Sequence, residues 1–273
     1  MNARTRSAAA AGTIEIGDLT VNRMGYGAMR LTGPGIWGPP KDRANAIAVL
    51  RRAVELGVNF IDTSDAYGPN VNEEIIAEAL HPYSVVIATK GGLTRSGPDI
   101  WERDGHPAHL RKACEGSLKR LRVQRIDIYQ LHAIDPRVPL EDSLGELVKL
   151  QERGKIRHIG VSNFTLKDLQ RGEKIAKIVS VQNRYNATDR SYDDVVSYCE
   201  QKGIAFIPWY PLAAGSHAAS RALPDEIKKI MGDRKFTAPQ ASLAWLLSRS
   251  KTMLPIPGTS STEHLEENVA AAG

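Results

Sequence analysis

The chain has 273 residues, of which 42% are hydrophobic and 25% charged, and its formal net charge is +5. These proportions are typical of a globular protein and argue against a disordered or fibrous chain. Because Lys and Arg are spread along the sequence, no nucleic-acid-binding surface is expected, and no apolar stretch approaches the roughly 20 residues of a membrane span.

The N-terminal segment, MNARTRSAAAAG, has two arginines and small residues but lacks the apolar core of a secretory signal. Residues 1–12 are therefore expected to form a flexible tail. The next stretch, TIEIGDLTV at residues 13–21, predicts a short hairpin that turns at Gly17 and Asp18. We expect this hairpin to cover the bottom of a single domain formed by residues 13–273.

Short apolar runs then alternate with amphipathic segments. This alternation of strands and helices is typical of parallel sheets, and eight units in about 250 residues favour the α/β class and a closed (β/α)8 TIM barrel. A doubly wound open sheet is the alternative. The eight predicted strands cover residues 21–27, 58–62, 84–90, 126–132, 156–163, 178–183, 204–210 and 252–258.

The predicted helices have recognisable starts and stops. In the segment 140–155, leucines recur on one helical face, and Gly154 supplies a C-terminal stop. Thr237 and Gln240 have the spacing of a capping box, which predicts a helix that begins there.

The cysteines and histidines predict neither a disulfide framework nor a metal site. Cys114 and Cys199 are far apart in the sequence, which favours a reducing, cytoplasmic setting. His106 and His109 have a spacing that metal ligands can use. The intervening proline and the lack of a matching acidic or cysteine partner favour a loop instead.

Polar and aromatic residues stand at the ends of the predicted strands. In a (β/α)8 barrel the carboxyl ends of all strands meet at one mouth, where active sites lie. We therefore expect these side chains to converge on a single site. They are Asp62 with Tyr67 just beyond it, Lys90, His132, Ser162 with Asn163, Gln182, and Trp209 with Tyr210.

Four of these residues predict a proton-donating site. A free tyrosine has a pKa of about 10, and a nearby ammonium lowers that pKa by favouring the phenolate. Asp62 would hold the ammonium of Lys90 beside Tyr67, and His132 would orient a carbonyl oxygen or join the proton relay. Taken singly, each residue also has a structural reading: a loop cap, a surface lysine or a core histidine. Asp65 is expected to be solvated or to cap the loop.

The order of the motifs resembles the aldo-keto reductase family over residues 13–271. The segments that carry the resemblance are NFIDTSDAYG, ATK, YQLH, GVSNF and VQNRYN. The family implies a cytoplasmic NADPH-dependent oxidoreductase that reduces a small carbonyl substrate on a TIM barrel, with Tyr67 as general acid. Some proteins with this fold are instead cofactor-sensing binding subunits, and another TIM-barrel enzyme that uses Asp62 as a base is a further alternative.

The resemblance also implies a set of cofactor-binding residues. The sequence departs from many members after the eighth strand, where GTSS stands in place of the cations that hold the 2′-phosphate of NADPH. NADH is therefore an alternative cofactor, although a helix N-terminus there can still bind a phosphate. Ser260 and Glu263 have capping-box spacing. The implied residues are Gly27, Ala28, Met29, Asp62, Ser162, Asn163, Gln182, Trp209, Tyr210, Pro211, Leu212, Gly258, Thr259, Ser260, Ser261, His264, Glu267 and Asn268.

The substrate side is less defined by the sequence. Trp37 and Trp101 lie in predicted loops after the first and third strands and are candidate walls of the substrate pocket. The PGT segment is similar to a bacterial branch that includes pyridoxal reductases, so a pyridoxal-like aldehyde is the predicted substrate. The chain stops at AAAG, where members usually continue into a segment that closes over the substrate, so we expect a truncated C-terminus. A monomer is expected.

Overall fold

The computed structural model of the chain describes residues 7–213 and 224–273. Its first strands, β1 (Thr13–Ile16) and β2 (Leu19–Asn22), form the predicted antiparallel hairpin. The hairpin buries Ile14, Ile16 and Val21 in the same apolar cluster as side chains from inside the barrel. It therefore covers one end of the barrel, as the sequence predicts.

The remaining strands confirm the (β/α)8 barrel. Within the described ranges, seven parallel strands pair in the order of the chain, and β6 and β7 form a separate antiparallel hairpin. The strands are β3 (Tyr26–Gly27), β4 (Phe60–Asp62), β5 (Val86–Gly91), β6 (Leu93–Gly97), β7 (Ile100–Arg103), β8 (Ile126–Leu131), β9 (Ile156–Ser162), β10 (Ile178–Arg184) and β11 (Ala205–Trp209).

An eighth segment closes the barrel without forming a regular strand. The backbone N–H of Phe206 donates to the carbonyl of Thr252, and Leu254 donates to the carbonyl of Phe206. On its other side, the carbonyl of Pro255 accepts from Gly25. The predicted eighth strand therefore lies in the right place, between β11 and the approach to β3, but two prolines interrupt its run of donors.

Nine helices in the described ranges surround the barrel. Thr237 and Gln240 form the predicted capping box at the start of α8. The predicted pairing of Ser260 with Glu263 is wrong, because α9 begins one residue later with Ser261 as its cap. The helices are α1 (Arg43–Glu55), α2 (Val71–Leu80), α3 (Pro107–Leu121), α4 (Leu140–Glu152), α5 (Leu166–Gly172), α6 (Asp193–Lys202), α7 (Asp225–Arg234), α8 (Ala238–Arg249) and α9 (Thr262–Val269).

The described part of the predicted tail, residues 7–12, lies against the body of the protein. Ala8 donates its backbone N–H to Leu56, and its side chain is fully buried. Residues 1–6 lie outside the described residues. Cys114 and Cys199 are both free and buried. Of the helices in the described ranges, none has the length and apolarity needed to cross a bilayer.

Candidate active site

The four predicted catalytic residues meet at one end of the barrel. Asp62 ends β4 and pairs in register with Ala88, which places Lys90 two residues farther along the neighbouring strand. His132 directly follows β8, and Tyr67 lies in the loop after β4. Inward-pointing residues at adjacent strand ends are brought together in this way because parallel strands end at the same edge.

Lys90 is the centre of the group and is fully buried. Its ammonium donates to both carboxylate oxygens of Asp62, at 2.8 and 2.7 Å, and to the carbonyl of Thr63 at 2.8 Å. Burial alone would lower the pKa of Lys90, but the charge and hydrogen bonds of Asp62 and Tyr67 raise it above the ordinary value. The lysine is therefore charged at neutral pH.

The phenol of Tyr67 lies beside this ammonium, with 3.4 Å between its Oη and Nζ of Lys90. Burial raises the pKa of Tyr67, and the charge of Lys90 offsets part of that rise. The sequence pattern predicts only the lowering of this pKa by the lysine. In the structure burial outweighs it, so the phenol is protonated at neutral pH and available as a proton donor.

His132 forms another part of the same wall. Its ring lies 5.9 Å from that of Tyr67, centroid to centroid, and nearly perpendicular to it. Burial, and then the charge of Lys90, hold the pKa of His132 well below its usual range. The imidazole is therefore neutral and carries one N–H.

Asp65 is not solvated, in contrast to the expectation from the sequence. It is only 9% exposed, and its Oδ1 lies 3.2 Å from the hydroxyl oxygen of Ser64. Burial, together with the charge of Glu73, raises the pKa of Asp65 to about 8. The chain turns back after Asp62, so that this second carboxyl group lies under the site rather than in solvent.

The residues expected to hold a nicotinamide carboxamide are already fixed by hydrogen bonds within the protein. Gln182 donates from Nε2 to Asp62 at 2.8 Å. Asn163, with a backbone φ of 60°, donates from Nδ2 to the carbonyl of His132 at 3.1 Å and accepts from the indole of Trp209 at 3.1 Å. Ser162 donates to the backbone carbonyl of Gln182. These bonds fix the amide groups before any ligand binds.

A cavity of about 610 Å³ runs along these residues. Its walls contain several residues that sequence reasoning missed, among them Arg30, Leu93 and Ala213. Their only sequence signal is that they neighbour predicted strand ends. The predicted residues that line the cavity are Gly27, Met29, Asp62, Tyr67, Trp101, His132, Ser162, Asn163, Gln182, Trp209, Tyr210, Pro211, Leu212 and Gly258.

The other predicted cofactor residues lie outside this cavity wall. Ala28 is fully buried. Ser260 lines a second, neighbouring cavity together with Arg30, and Ser261 caps α9. The residues that do not line the main cavity are Ala28, Thr259, Ser260, Ser261, His264, Glu267 and Asn268. All but Ala28 cluster at α9 and the segment before it.

The two tryptophans expected on the substrate side have different positions. Trp101 lines the cavity from the unpredicted β6–β7 hairpin, with its ring 6.3 Å from that of Tyr67. Trp37 is also predicted to form a wall of the substrate pocket. In the structure it does not line the cavity, whereas its neighbour Ile36 does. Arg95 connects the two regions, because its guanidinium stacks on Trp101 at 3.7 Å and donates to the carbonyl of Ile36.

His106 and His109 both lie near the carboxylate of Asp104, at 2.8 and 3.5 Å. Asp104, His106 and Asp135 lie close enough to share an ion, but the carboxylate of Asp135 is held by Arg137. Asp104 is the acidic partner that the sequence spacing does not reveal. Hydrogen bonds within the chain account for this cluster.

Comparison with known proteins gives one consistent result. The model of the Aldo/keto reductase family matches residues 23–273. An uncharacterized oxidoreductase of Schizosaccharomyces pombe is 51% identical over 97% of this chain and 86% of its own length. Pyridoxine 4-dehydrogenase of Escherichia coli is 44% identical over 95% of this chain and 92% of its own length. An aldo-keto reductase of Klebsiella pneumoniae, solved in complex with NADPH, is similar with a TM-score of 0.79 and 27% identity, over 95% of this chain and 89% of that one.

Proposed function

This chain belongs to the aldo/keto reductase family, and we propose that it reduces an aldehyde or ketone to the alcohol with NADPH. The observation that carries the proposal is the position of Tyr67 on the cavity wall, 3.4 Å from a buried lysine that is paired with Asp62. A protonated phenol beside a fixed ammonium suits proton donation to a carbonyl oxygen.

Each of the four residues has a distinct part in the proposed reaction. Tyr67 donates its phenolic proton to the carbonyl oxygen as that oxygen becomes an alkoxide. The ammonium of Lys90 stabilises the phenolate that is left, and Asp62 keeps that ammonium charged and in place. The neutral imidazole of His132 holds the carbonyl oxygen by a hydrogen bond. Leu93 and Trp101, on the same wall, limit the access of water.

The cavity fits a nicotinamide cofactor. It contains a cluster of fixed amide and hydroxyl groups next to Asp62, and its volume falls within the range of ligand sites. Ser162, Asn163 and Gln182 would hold the carboxamide, and the residues near Gly258 would hold the phosphates. A bound reduced nicotinamide supplies the hydride. The NADPH complex of the Klebsiella relative supports NADPH as the cofactor, with NADH as the alternative.

A pyridoxal-like aromatic aldehyde is the proposed substrate. The Escherichia coli relative is a pyridoxine 4-dehydrogenase, which supports this class. Trp101 and Tyr67 would provide an aromatic wall for such a ring. We further propose that residues 13–273 act as one domain, in a cytoplasmic monomer, whose mass in solution can be measured by light scattering.

The test is the oxidation of NADPH with 4-nitrobenzaldehyde and with pyridoxal, for the wild type and for Tyr67→Phe. We expect the substitution to lower kcat by at least about 100-fold, because it removes the donated proton. Its dissociation constant for NADPH should stay close to that of the wild type. An unchanged rate would refute the role of Tyr67. Tight NADPH binding by the wild type without turnover of any aldehyde would instead favour a cofactor-sensing subunit.

A further inference from the structure

The hydroxyl group of Ser64 contacts the ring nitrogen of His132 that does not serve the cavity. Its Oγ lies 3.1 Å from Nδ1 of His132, and Ser64 is fully buried. The same histidine ring lines the cavity, and its Nε2 has no hydrogen-bond partner within residues 7–213 and 224–273. The hydrogen bond between Ser64 and Nδ1 therefore determines whether Nε2 presents a donor or an acceptor to a ligand.

Ser64 has one proton and several possible acceptors for it. Its oxygen accepts the backbone N–H of Ala66 at 3.1 Å. Its proton can point to Nδ1 of His132 at 3.1 Å, to the carboxyl of Asp65 at 3.2 Å or to the carbonyl of Lys90 at 3.4 Å. A neutral imidazole has one donor and one acceptor nitrogen, and a hydrogen bond to one nitrogen fixes which is which.

The protonation state of Asp65 determines which of these acceptors takes the proton of Ser64. Because burial raises the pKa of Asp65 to about 8, its carboxyl group is mostly protonated at neutral pH. A protonated carboxyl donates to Ser64 instead of taking the hydroxyl proton. The hydroxyl is then left to donate to the imidazole of His132, which is neutral because burial and Lys90 lower its pKa.

We propose that Ser64 is a positioning residue, whose hydroxyl donates to Nδ1 of His132 and holds the ring in the tautomer that presents Nε2–H to the cavity. This inference rests on the proposed function, since Nε2–H is the group that would bind the oxygen of a carbonyl substrate. The other tautomer would present a lone pair, which repels that oxygen. Loss of the hydroxyl therefore removes the preference for the productive tautomer.

The test is a direct measurement of the tautomer in the full chain with NADPH bound. In protein labelled with nitrogen-15 histidine, the NMR signals of His132 are assigned by comparison with His132→Asn. The wild type should show a protonated Nε2 and a bare Nδ1. In Ser64→Ala both tautomers should be populated, and kcat/KM for 4-nitrobenzaldehyde should fall roughly tenfold, the effect of about one hydrogen bond.

Ser143→Ala is the matched control, because it also removes a buried serine hydroxyl, one that donates to the carbonyl of Gly105 rather than to His132. It should leave both the tautomer and kcat/KM unchanged. A protonated Nδ1 in the wild type would overturn the inference, as would a Ser64→Ala protein with an unchanged tautomer. The wild-type measurement alone decides the question if Ser64→Ala does not fold. Failure of the proposed function would show differently, as a wild type that reduces no aldehyde.

Discussion

The phenol oxygen of Tyr67 lies 3.4 Å from the ammonium of Lys90, and both side chains are buried. The ammonium is held by three shorter bonds, two to Asp62 and one to a backbone carbonyl. The longer contact to the phenol is therefore the weakest around the lysine, which leaves Tyr67 free to turn toward a ligand. The ion pair of Lys90 with Asp62 is therefore held firmly in place, whereas the phenol of Tyr67 can adjust its position.

The first prediction concerns the buried ion pair of Lys90 with Asp62. Asp62→Asn should lower the free energy of unfolding by about 3 kcal/mol, because the lysine keeps its burial and loses its counter-charge. Urea denaturation at pH 7 measures the change. The double variant Asp62→Asn with Lys90→Met should recover a large part of the loss. A double variant less stable than the single one would contradict this explanation.

The second prediction concerns pH and Asp65. Its pKa is about 8 in the folded protein, against an ordinary value of 3.8, so the unfolded chain releases this proton at lower pH. The stability contributed by the protonated group is complete below pH 4 and is lost as the pH rises to about 8. The Asp65→Asn variant has no carboxyl group to titrate at this position, so it does not lose stability in this way. Its free energy of unfolding, relative to the wild type, should rise by about 3–4 kcal/mol between pH 5 and pH 8.

Urea denaturation at several pH values measures the Asp65 effect. Asp233→Asn, on the exposed surface of α7, serves as the control and should show no such trend. A difference between Asp65→Asn and the wild type that does not change with pH would show that Asp65 is ionised in the folded protein.

The third prediction concerns Gly160 in β9, which faces the barrel interior. A methyl group there would overlap the hydroxyl of Ser180 and come within 2.9 Å of Gln130. Gly160→Ala should therefore lower stability by about 1–3 kcal/mol. Adding Ser180→Ala removes the overlapping oxygen and should restore part of the loss, a non-additive result that urea denaturation can detect. Strict additivity of the two changes would show that the clash is relieved elsewhere.

The fourth prediction concerns Arg30, an exposed cation at the edge of both cavities that has no ion-pair partner within the described ranges. Arg30 lies beside Gly258, since its Cγ is 3.7 Å from the position that a Cβ atom on residue 258 would occupy. Arg30→Ala should raise the dissociation constant for NADPH about tenfold and that for NADH less, because a cation there binds phosphate. Quenching of tryptophan fluorescence measures both constants, with Lys112→Ala on α3 as the control for lost charge. An equal effect on the two cofactors would place Arg30 at the pyrophosphate.

The fifth prediction concerns Trp101 on the β6–β7 hairpin. Trp101→Ala should raise KM for an aromatic aldehyde about tenfold, with little change in NADPH affinity, because the ring packs beside Tyr67 rather than near Gly258. Ile100→Ala is a matched control, since Ile100 is 49% exposed on the same hairpin and does not line the cavity. A similar rise in KM for both variants would mean that the hairpin as a whole is disturbed.

The sequence predicts those parts of the site that depend on strand ends. Asp62, Lys90 and His132 follow apolar runs, and parallel strands bring such positions together without further information. Asp65 and Ser64 are different, because their burial depends on how the loop folds back, and a polar loop sequence carries no signal of that path. The β6–β7 hairpin was missed for a related reason: β6 is mostly half-buried and β7 is exposed throughout, so neither has the alternation of apolar and polar residues that predicts a strand.

The guanidinium of Arg95 stacks on Trp101, and its hydrogen bonds go to the backbone of the segments around the cavity mouth. It donates to the carbonyls of Gly35, Ile36, Ala66, Gly97 and Ile100, which belong to two loops and a hairpin. Such bonds persist whatever side chains those positions carry. The mouth can therefore accept new side chains at neighbouring positions while its shape is kept, which makes it a suitable starting point for redesigning substrate preference by exchanging wall residues and leaving Arg95 in place.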